Sequence, residues 1–366
     1  MLRNLVFYLL FLLILQGLNA QNFNNVELSH MRKDRVRKVV QLPDIPGYKT
    51  LKCDFHMHTI FSDGQVWPTI RVDEAWAEGL DAIAITDHIE YLPHKDFLTS
   101  NHNTPYEIAK SQAENLDLIL IRGGEITRSM PPGHLNGIFL KNVNALDTPE
   151  AEDALQAVVD QDGFIFWNHP GWKAQQPDTC LWWDKHQELL EKGLIHGIEV
   201  FNSQEYYPVA IDWCVEKDLA MIGNTDVHGL ISTSYDIESG HRPMTLVFAR
   251  ERTEESIKEA MFANRTVAWF DDKMIGREEL LEEFLKASIE LEDPELKPGS
   301  RKPLKVRNNA DMPFILLDEN GNRYLIPPLA ESYLNLPGKV GAFKVVNLIT
   351  GMDEYLGIGY DEFLSF

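Results

Sequence analysis

The chain has 366 residues, 44% of them apolar and 25% charged, which allows one large and one smaller domain and argues against global disorder. Its net charge of −22 opposes binding of long nucleic acid, because such binding rests on Lys and Arg displacing counterions from phosphates. Three widely spaced cysteines exclude a disulfide framework, and we interpret Cys53, Cys180 and Cys214 as small buried side chains.

Residues 1–20 have the pattern of a secretory signal peptide. Arg3 precedes an apolar run over residues 5–15, and small residues lead to a cleavage site after Ala20. The run is shorter than the roughly 20 residues that span a bilayer. We therefore expect an exported protein, periplasmic or secreted, with no transmembrane segment.

Residues 21–49 are polar and basic around residues 32–38, which indicates a lead-in segment. From Thr50 onward, apolar strand-like runs alternate with helix-like segments. The strand-like runs cover residues 51–56, 80–86, 118–121, 163–167, 195–201, 219–222 and 244–249. This alternation predicts a parallel sheet covered by helices, closed or nearly closed into a barrel. A doubly wound open sheet is the alternative, but no Gly-rich dinucleotide motif follows the first strand.

Residues with metal-ligand chemistry follow the first of these runs. His56 and His58 lie two residues apart on an extended segment, so both imidazoles point to one side. The Asp63-Gly64 turn can bring a carboxylate back toward this pair. Neutral imidazole is the commonest protein ligand for transition metals, so the segment supplies half of a metal site.

Further candidate ligands follow four later strands. They are His88 after Asp87, Glu125, His169, and Asp226 with His228. His134 follows Glu125 in a Pro-Gly-His segment that we interpret as a short hairpin over the site. Each histidine alone is more simply explained as a partly buried side chain, and Asp87 is equally suited to orient the His88 ring. Six of twelve histidines at five strand ends, however, predict a metal centre at one mouth of a barrel.

Three clusters of ligands can be drawn from these residues. The first holds His56, His58, Glu125 and Asp226, the second Glu125, His134 and His169, and the third Asp63, His88 and His228. Mixed nitrogen and oxygen ligands fit zinc, manganese or iron without choosing among them.

The composition changes after a Glu- and Leu-rich stretch over residues 276–290 that is typical of a helix. Pro and Gly residues mark a linker at 291–303, and short strand-like runs separated by turns fill residues 304–366. We predict a small antiparallel β domain there, a sandwich with a structural or interaction role. The large domain then spans residues 50–290.

At its candidate ligands, over about residues 50–265, the chain resembles the PHP family, the polymerase and histidinol phosphatase superfamily. The matching motifs are His56-Met57-His58 with Ser62-Asp63-Gly64, Thr86-Asp87-His88, His169-Pro170 and Asp226-Val227-His228, together with Glu125 and His134. The resemblance implies a distorted seven-stranded β/α barrel, two or three divalent metal ions, and phosphoesterase activity on phosphomonoesters, nucleotides or nucleic-acid ends. Position 63 departs from those members that carry His there.

The resulting hypothesis is metal-dependent hydrolysis of a small phosphorylated substrate by metal-activated water. No catalytic residue is assigned apart from the metal ligands. Arg128, Lys173 and Arg242 are candidates to bind the phosphate, and Trp172, Tyr206 and Tyr207 to stack on a base or sugar. An amidohydrolase or lactonase, or a secreted binding protein without catalysis, are the alternatives. The substrate, the metal, the filling of the third site and the oligomeric state stay open.

Overall fold

The structure, a computed structural model, describes residues 27–292, 303–336 and 341–366. The predicted signal peptide and residues 293–302 of the predicted linker lie outside these ranges, so export stays a prediction. The chain divides into two units, residues 1–36, whose described part holds a 3-10 turn at Ser29–Met31, and residues 37–366. Nowhere in the described ranges is a helix both long enough and apolar enough to cross a membrane.

The second unit is a mixed α/β structure. Its strands are β1 (Lys49–Asp54), β2 (Ala82–Ile85), β3 (Ile119–Thr127), β4 (His134–Ile138), β5 (Phe164–Trp167), β6 (Gly197–Asn202), β7 (Glu205–Tyr206), β8 (Ala220–Asn224), β9 (Met244–Ala249), β10 (Thr266–Phe270), β11 (Lys273–Gly276), β12 (Ile289–Glu292), β13 (Leu304–Asn308), β14 (Phe314–Asp318), β15 (Arg323–Ile326), β16 (Glu331–Leu334), β17 (Ala342–Gly351) and β18 (Glu354–Gly359). Its helices are α1 (Pro68–Ala77), α2 (Thr104–Asn115), α3 (Ala151–Val159), α4 (Asp184–Glu191), α5 (Pro208–Glu216), α6 (Ile231–Ser234), α7 (Glu254–Phe262), α8 (Glu278–Ser288) and α9 (Tyr360–Phe363). A 3-10 turn at Val143–Leu146 precedes α3.

Seven strands form a distorted barrel, which confirms the predicted fold class. β1, β2 and β3 pair in parallel, as do β5, β6 and β8, and β4 lies antiparallel between β3 and β5. The ring closes where the chain leaves β8 and β1. There Met57 and Val227 form a parallel bridge, and the Asp226 amide donates to the His56 carbonyl at 2.9 Å.

β4 is the second strand of the hairpin predicted around His134, and one other strand runs in the direction opposite to the one predicted. β4 contains His134 and is itself part of the barrel wall, because the six residues after β3 are too few for a crossover helix. β9, expected as a further parallel strand, pairs antiparallel with the outer edge of β1. The segment between β8 and β9 holds only the four-residue α6, about 6 Å long, which cannot return the chain to the other end of the sheet.

The strands of the C-terminal region continue the large sheet. β9, β10 and β11 extend it from β1, and β17 pairs in parallel with β11. β17 also pairs antiparallel with β14 and β18, and β15 pairs with β14. A second, antiparallel sheet is formed by β12, β13 and β16. Apolar side chains from both sheets, among them Val306 and Phe314, join one buried cluster with Phe284 of α8, as expected for a small sandwich. β12 begins at Ile289, inside the stretch expected to be helical.

The three cysteines are free, as interpreted from the sequence. Cys53 and Cys214 are buried as predicted, whereas Cys180 is partly exposed, so its interpretation as a buried side chain was wrong.

Candidate metal centre

The first ligand segment folds back on itself directly after β1. A Cβ atom at Gly64 would lie within 2.7 Å of the backbone of His58 and Thr59, so only glycine permits this close return. Asp87 fixes the turn, because its carboxylate accepts hydrogen bonds from the Thr59 amide and from the Thr59 and Ser62 hydroxyls, all at 2.6 Å. Asp87 therefore holds the loop that carries Asp63, and it does not orient the His88 ring as the sequence suggested.

The first predicted cluster is brought together at this end of the barrel. The Nε2 atoms of His56 and His58 are 3.1 Å apart, and Oδ1 of Asp226 lies 3.2 and 3.0 Å from them. Oε2 of Glu125 lies 3.5 and 3.4 Å from the same two nitrogens. Donor atoms that share one ion at bonds near 2.1 Å stand about 3.0–3.4 Å apart, so these separations suit a common ion.

The third predicted cluster forms around Asp63 and gains one member. Oδ1 of Asp63 lies 3.1 Å from Nε2 of His228 and 3.5 Å from Nε2 of His88. Nδ1 of His58 lies 3.8 Å from the same oxygen, so His58 faces two clusters at once.

Glu125 lies at the centre and its two oxygens face different histidines. Oε1 is 2.9 Å from Nδ1 of His134 and 3.6 Å from Nε2 of His169, while Oε2 is 2.7 Å from Nδ1 of His88. The predicted second cluster therefore forms, with His88 as an additional member that the sequence placed only beside Asp63. The structure thus gathers all nine predicted ligands into one group.

The donor atoms fit divalent cations. Nδ1 of His228 donates to the Asp226 carbonyl at 2.8 Å, which leaves a lone pair on Nε2 facing Oδ1 of Asp63. Neither that oxygen nor Oε2 of Glu125 accepts a hydrogen bond of good geometry from the described residues, although Nδ1 of His88 lies 2.7 Å from Oε2. Two facing acceptors about 3 Å apart repel each other, and a cation between them turns the repulsion into coordination.

The charges of the cluster reinforce this fit. Burial raises the pKa of Glu125, but the imidazoles of His88, His56 and His134 outweigh it and hold the pKa well below its usual range. Burial likewise raises the pKa of Asp226, and His56 and His58 lower it further than that. These carboxylates consequently stay ionised. In contrast, burial and the neighbouring His88 and His228 lower the pKa of His58 to about 3, which favours its neutral, ligating form.

Glu199 of β6 is part of the site and was missed from the sequence. Its Oε1 lies 2.8 Å from Nδ1 of His56, and its carboxylate accepts hydrogen bonds from the His169 amide and from the side chains of Asn202 and Asn224. Such a carboxylate keeps the proton on Nδ1 and leaves Nε2 free to bind a metal. The available signal was a lone charged residue inside an otherwise apolar strand.

We expect Glu199→Gln to weaken metal binding roughly 10- to 100-fold while the fold is retained. The amide nitrogen of Gln can donate to Nδ1 of His56 and so shift the ring proton to Nε2, which removes the ligating lone pair. Metal titration followed by calorimetry, with circular dichroism to check folding, measures the effect. Glu191→Gln, at an exposed position on α4, is the matched control and should bind metal like the parent chain. Unchanged affinity in Glu199→Gln would contradict this role.

Arg71 of α1 was also missed, and it joins the two segments that carry most of the ligands. Its guanidinium donates to the carbonyls of His58, Val227, His228 and Gly229 at 2.7 to 2.9 Å. It is buried, so these bonds are shielded from water. The loop after β1 and the loop after β8 are therefore held in register by one side chain.

None of the three predicted phosphate-binding residues lines the cavity over the predicted metal ligands. Arg242 is buried and donates to the carboxylates of Glu78 and Asp54, which contradicts a role in contacting substrate. Arg128 is bound to Glu90 and to the carbonyls of Thr148 and Pro149. Lys173 is exposed and is not among the residues found to line the metal cavity.

A cavity of about 450 Å³ opens over the metal ligands. Trp172 lines it and packs its ring 5.6 and 5.2 Å from those of His134 and His169. Tyr207 is buried and donates to Glu205 at 2.8 Å, so its role is packing. Tyr206 is not among the residues that line this cavity.

Comparison with known proteins shows an extensive match to a solved structure. No family model matches the chain. A solved structure from Bacteroides vulgatus, described as a two-domain protein containing a predicted PHP-like metal-dependent phosphoesterase, is 43% identical, with a TM-score of 0.84 over 89% of this chain and 99% of that one. An uncharacterised protein of Methanocaldococcus jannaschii is 37% identical over 84 residues, which is 22% of this chain and 36% of that protein. A structure from Bifidobacterium adolescentis is 17% identical with a TM-score of 0.38, a likeness too slight to bear on fold or function.

Proposed function

This chain belongs to the PHP-like metal-dependent phosphoesterases, and from that premise we propose that it hydrolyses a small phosphate ester with the help of two or three divalent ions. The observation that carries the proposal is the convergence of five histidines on Glu125, next to a second group around Asp63, in arrangements where facing acceptors need a cation between them. Zinc, manganese and iron each suit this mixture of imidazole and carboxylate.

Three groups of residues would hold the ions. They are His56, His58, Glu125 and Asp226; Glu125, His88, His134 and His169; and Asp63, His58, His88 and His228. Divalent ions bound at such a site supply Lewis acidity and lower the pKa of coordinated water toward neutrality.

The lining of the metal cavity explains why an anionic ester would depend on those ions. Its described lining residues include four carboxylates, those of Asp63, Glu125, Glu205 and Asp226, and neither Lys nor Arg. A phosphate entering this cavity would face these four carboxylates, and divalent ions bound to the ligands would offset their charge. A size of about 450 Å³ suits a small ester rather than a polymer.

Residues around the ligands hold the ligand side chains in position and limit the access of water. Trp172 lies beside the His134 and His169 rings and limits access of water from that side. Asn168 donates to Oε1 of Glu125 at 2.9 Å, and Glu199 holds the proton of His56 on Nδ1. These contacts fix the ring and carboxylate orientations before substrate arrives, so little reorganisation is left for the reaction.

Metal removal and restoration tests the proposal. We expect the chelated protein to release no phosphate from small phosphomonoesters and diesters, and activity to return with manganese, zinc or iron, because the ions offset the charge of the cavity. Phosphate release is measured against metal content on the same samples. A parallel screen of amides and lactones separates the alternative hydrolase. Cleavage of an amide or lactone with no ester cleaved, or ester cleavage that survives chelation, would contradict the proposal.

A further inference from the structure

A second cavity, of about 870 Å³, adjoins the metal cavity at the hairpin of β6 and β7. In this hairpin Phe201 pairs with Tyr206, and Asn202 pairs with Glu205. Paired residues share one face of an antiparallel ladder, and successive residues alternate between faces. Accordingly, Asn202 and Glu205 line the metal cavity, whereas Phe201 and Tyr206 line the second one.

The tip of the hairpin belongs to both cavities. Ser203 and Gln204 line each of them, so the hairpin forms a partition whose upper edge is two polar residues. A molecule held at the metal ligands can extend over this edge into the second cavity. The volume of the second cavity falls in the range that binds small organic molecules, roughly 300–1,000 Å³.

Aromatic rings form one part of the lining. Tyr206, Phe270 and Tyr355 contribute rings, and Phe270 is stacked on Phe201 at 3.9 Å, which holds it in place. Within the described residues, neither the Tyr206 nor the Tyr355 hydroxyl has a hydrogen-bond partner. Aromatic side chains with free polar tips suit ligands that have both apolar faces and polar edges.

Carboxylates form the other part. Asp236, Asp271 and Asp272 line the cavity, and Lys273 pairs with Asp271. Asp271 and Asp272 form the two-residue turn between β10 and β11, with φ of 44° and 55°, where glycine or asparagine is usual. His241 adds a buried ring nitrogen without a partner among the described residues.

This chemistry selects the class of ligand. The net negative lining disfavours a second phosphate or any other anion. A neutral sugar satisfies both halves of the lining, because its C–H faces can cover the tyrosine and phenylalanine rings and its hydroxyls can donate to the carboxylates. A purely apolar ligand would offer these carboxylates no hydrogen-bond donor.

We propose that the second cavity binds a neutral mono- or disaccharide unit, and that the substrate is a phosphorylated sugar whose phosphate lies at the metal ligands. The identity of the substrate rests on the proposed function, whereas sugar binding by the second cavity does not. The C-terminal strands then have a part in recognition, since Ile349, Met352 and Tyr355 of the β17–β18 region complete the cavity wall.

Binding of phosphate-free sugars tests the proposal directly. The full chain with its metals is titrated with neutral mono- and disaccharides, and contacts are detected by saturation-transfer NMR and calorimetry. We expect at least one sugar to bind, and Tyr355→Ala and Asp272→Asn each to weaken that binding tenfold or more. Tyr333→Ala, at an exposed position on β16 that does not line the cavity, is the control and should bind like the parent chain. Absence of binding, equal binding in all variants, or binding of choline but of no sugar would overturn the proposal.

Hydrolysis assays separate this inference from the proposed function. We expect Tyr355→Ala and Asp272→Asn to lower kcat/KM for a sugar phosphate at least tenfold and to leave that for phenyl phosphate within twofold. Sugar binding with no ester hydrolysed would support the second cavity and refute the phosphoesterase. Hydrolysis of phenyl phosphate with no sugar bound would support the phosphoesterase and refute sugar binding by the second cavity.

Discussion

Glu125→Gln is expected to abolish metal-dependent hydrolysis, with a loss in kcat/KM on the order of a thousandfold or more. Metal-ion catalysis contributes several kcal/mol, and each 1.36 kcal/mol corresponds to about a tenfold change in rate. The two oxygens of Glu125 approach five of the predicted ligands from different sides. Its Oε2 lies within 3.5 Å of His56, His58 and His88, and its Oε1 within 3.6 Å of His134 and His169.

The neighbour Asn168 makes this substitution more severe than a loss of one charge. Its Nδ2 donates to Oε1 at 2.9 Å, so a glutamine would place its carbonyl oxygen there and its NH2 group at the position of Oε2. That position faces the three ring nitrogens, where a donor cannot coordinate a metal. We therefore expect metal content to fall together with activity.

Elemental analysis after dialysis, followed by activity assays with added metal, measures both effects of Glu125→Gln. The matched control is Glu188→Gln on α4, an exposed position remote from the ligands, which should keep the metal content and activity of the parent chain. Retention of more than about a tenth of the activity in Glu125→Gln, which is a loss of less than about 1.4 kcal/mol in transition-state stabilisation, would show that Glu125 does not unite the clusters.

The ligands could be predicted from the sequence because of two regular features of structure. Side chains two apart on a strand share a face, which places His56 beside His58. The carboxyl ends of barrel strands meet at one mouth, which brings Glu125 and Asp226 to that pair although about 70 and 170 residues separate them. Position in the chain and residue chemistry were sufficient for these side chains, because His56, His58 and Asp226 follow shortly after an apolar strand and Glu125 follows the apolar first half of β3.

The supporting residues could not be predicted in the same way. Arg71 acts on backbone carbonyls, which carry no sequence signal, and those of residues 227–229 lie more than 150 positions away. Glu199 sits within a strand and not after it, so its pattern was that of a buried apolar run. The interpretation of Arg242 was wrong for a related reason. Its partners Glu78 and Asp54 lie 164 and 188 residues away, and nothing local indicated that the guanidinium would be buried.

Arg242 leads to the second large expected effect, a loss of stability. Arg242→Met should lower the free energy of unfolding by about 3–5 kcal/mol, because removing one partner of a buried ion pair leaves the other charge uncompensated. The guanidinium donates to both oxygens of Glu78 at 2.8 and 3.1 Å and to Asp54 at 3.1 Å, and all three side chains are buried.

The same network connects stability to the metal ligands. Burial raises the pKa of Asp54, and Arg242 is the main group that opposes it. Asp54 accepts a hydrogen bond of 2.6 Å from the Thr225 hydroxyl, and Thr225 directly precedes Asp226. Without the guanidinium, Asp54 takes up a proton more readily and can no longer accept on both oxygens. Metal affinity should therefore fall along with stability in Arg242→Met.

Urea unfolding followed by tryptophan fluorescence measures the loss, and a second substitution identifies its cause. Adding Glu78→Gln to Arg242→Met removes one of the two buried carboxylate charges that the lost guanidinium had compensated. The double variant should therefore be more stable than the single one. Lys173→Met, at an exposed position, is the control and should change stability by no more than about 0.5 kcal/mol. If Arg242→Met unfolded at the urea concentration of the parent chain, or if Glu78→Gln destabilised it further, the buried network would not be what holds this part of the barrel.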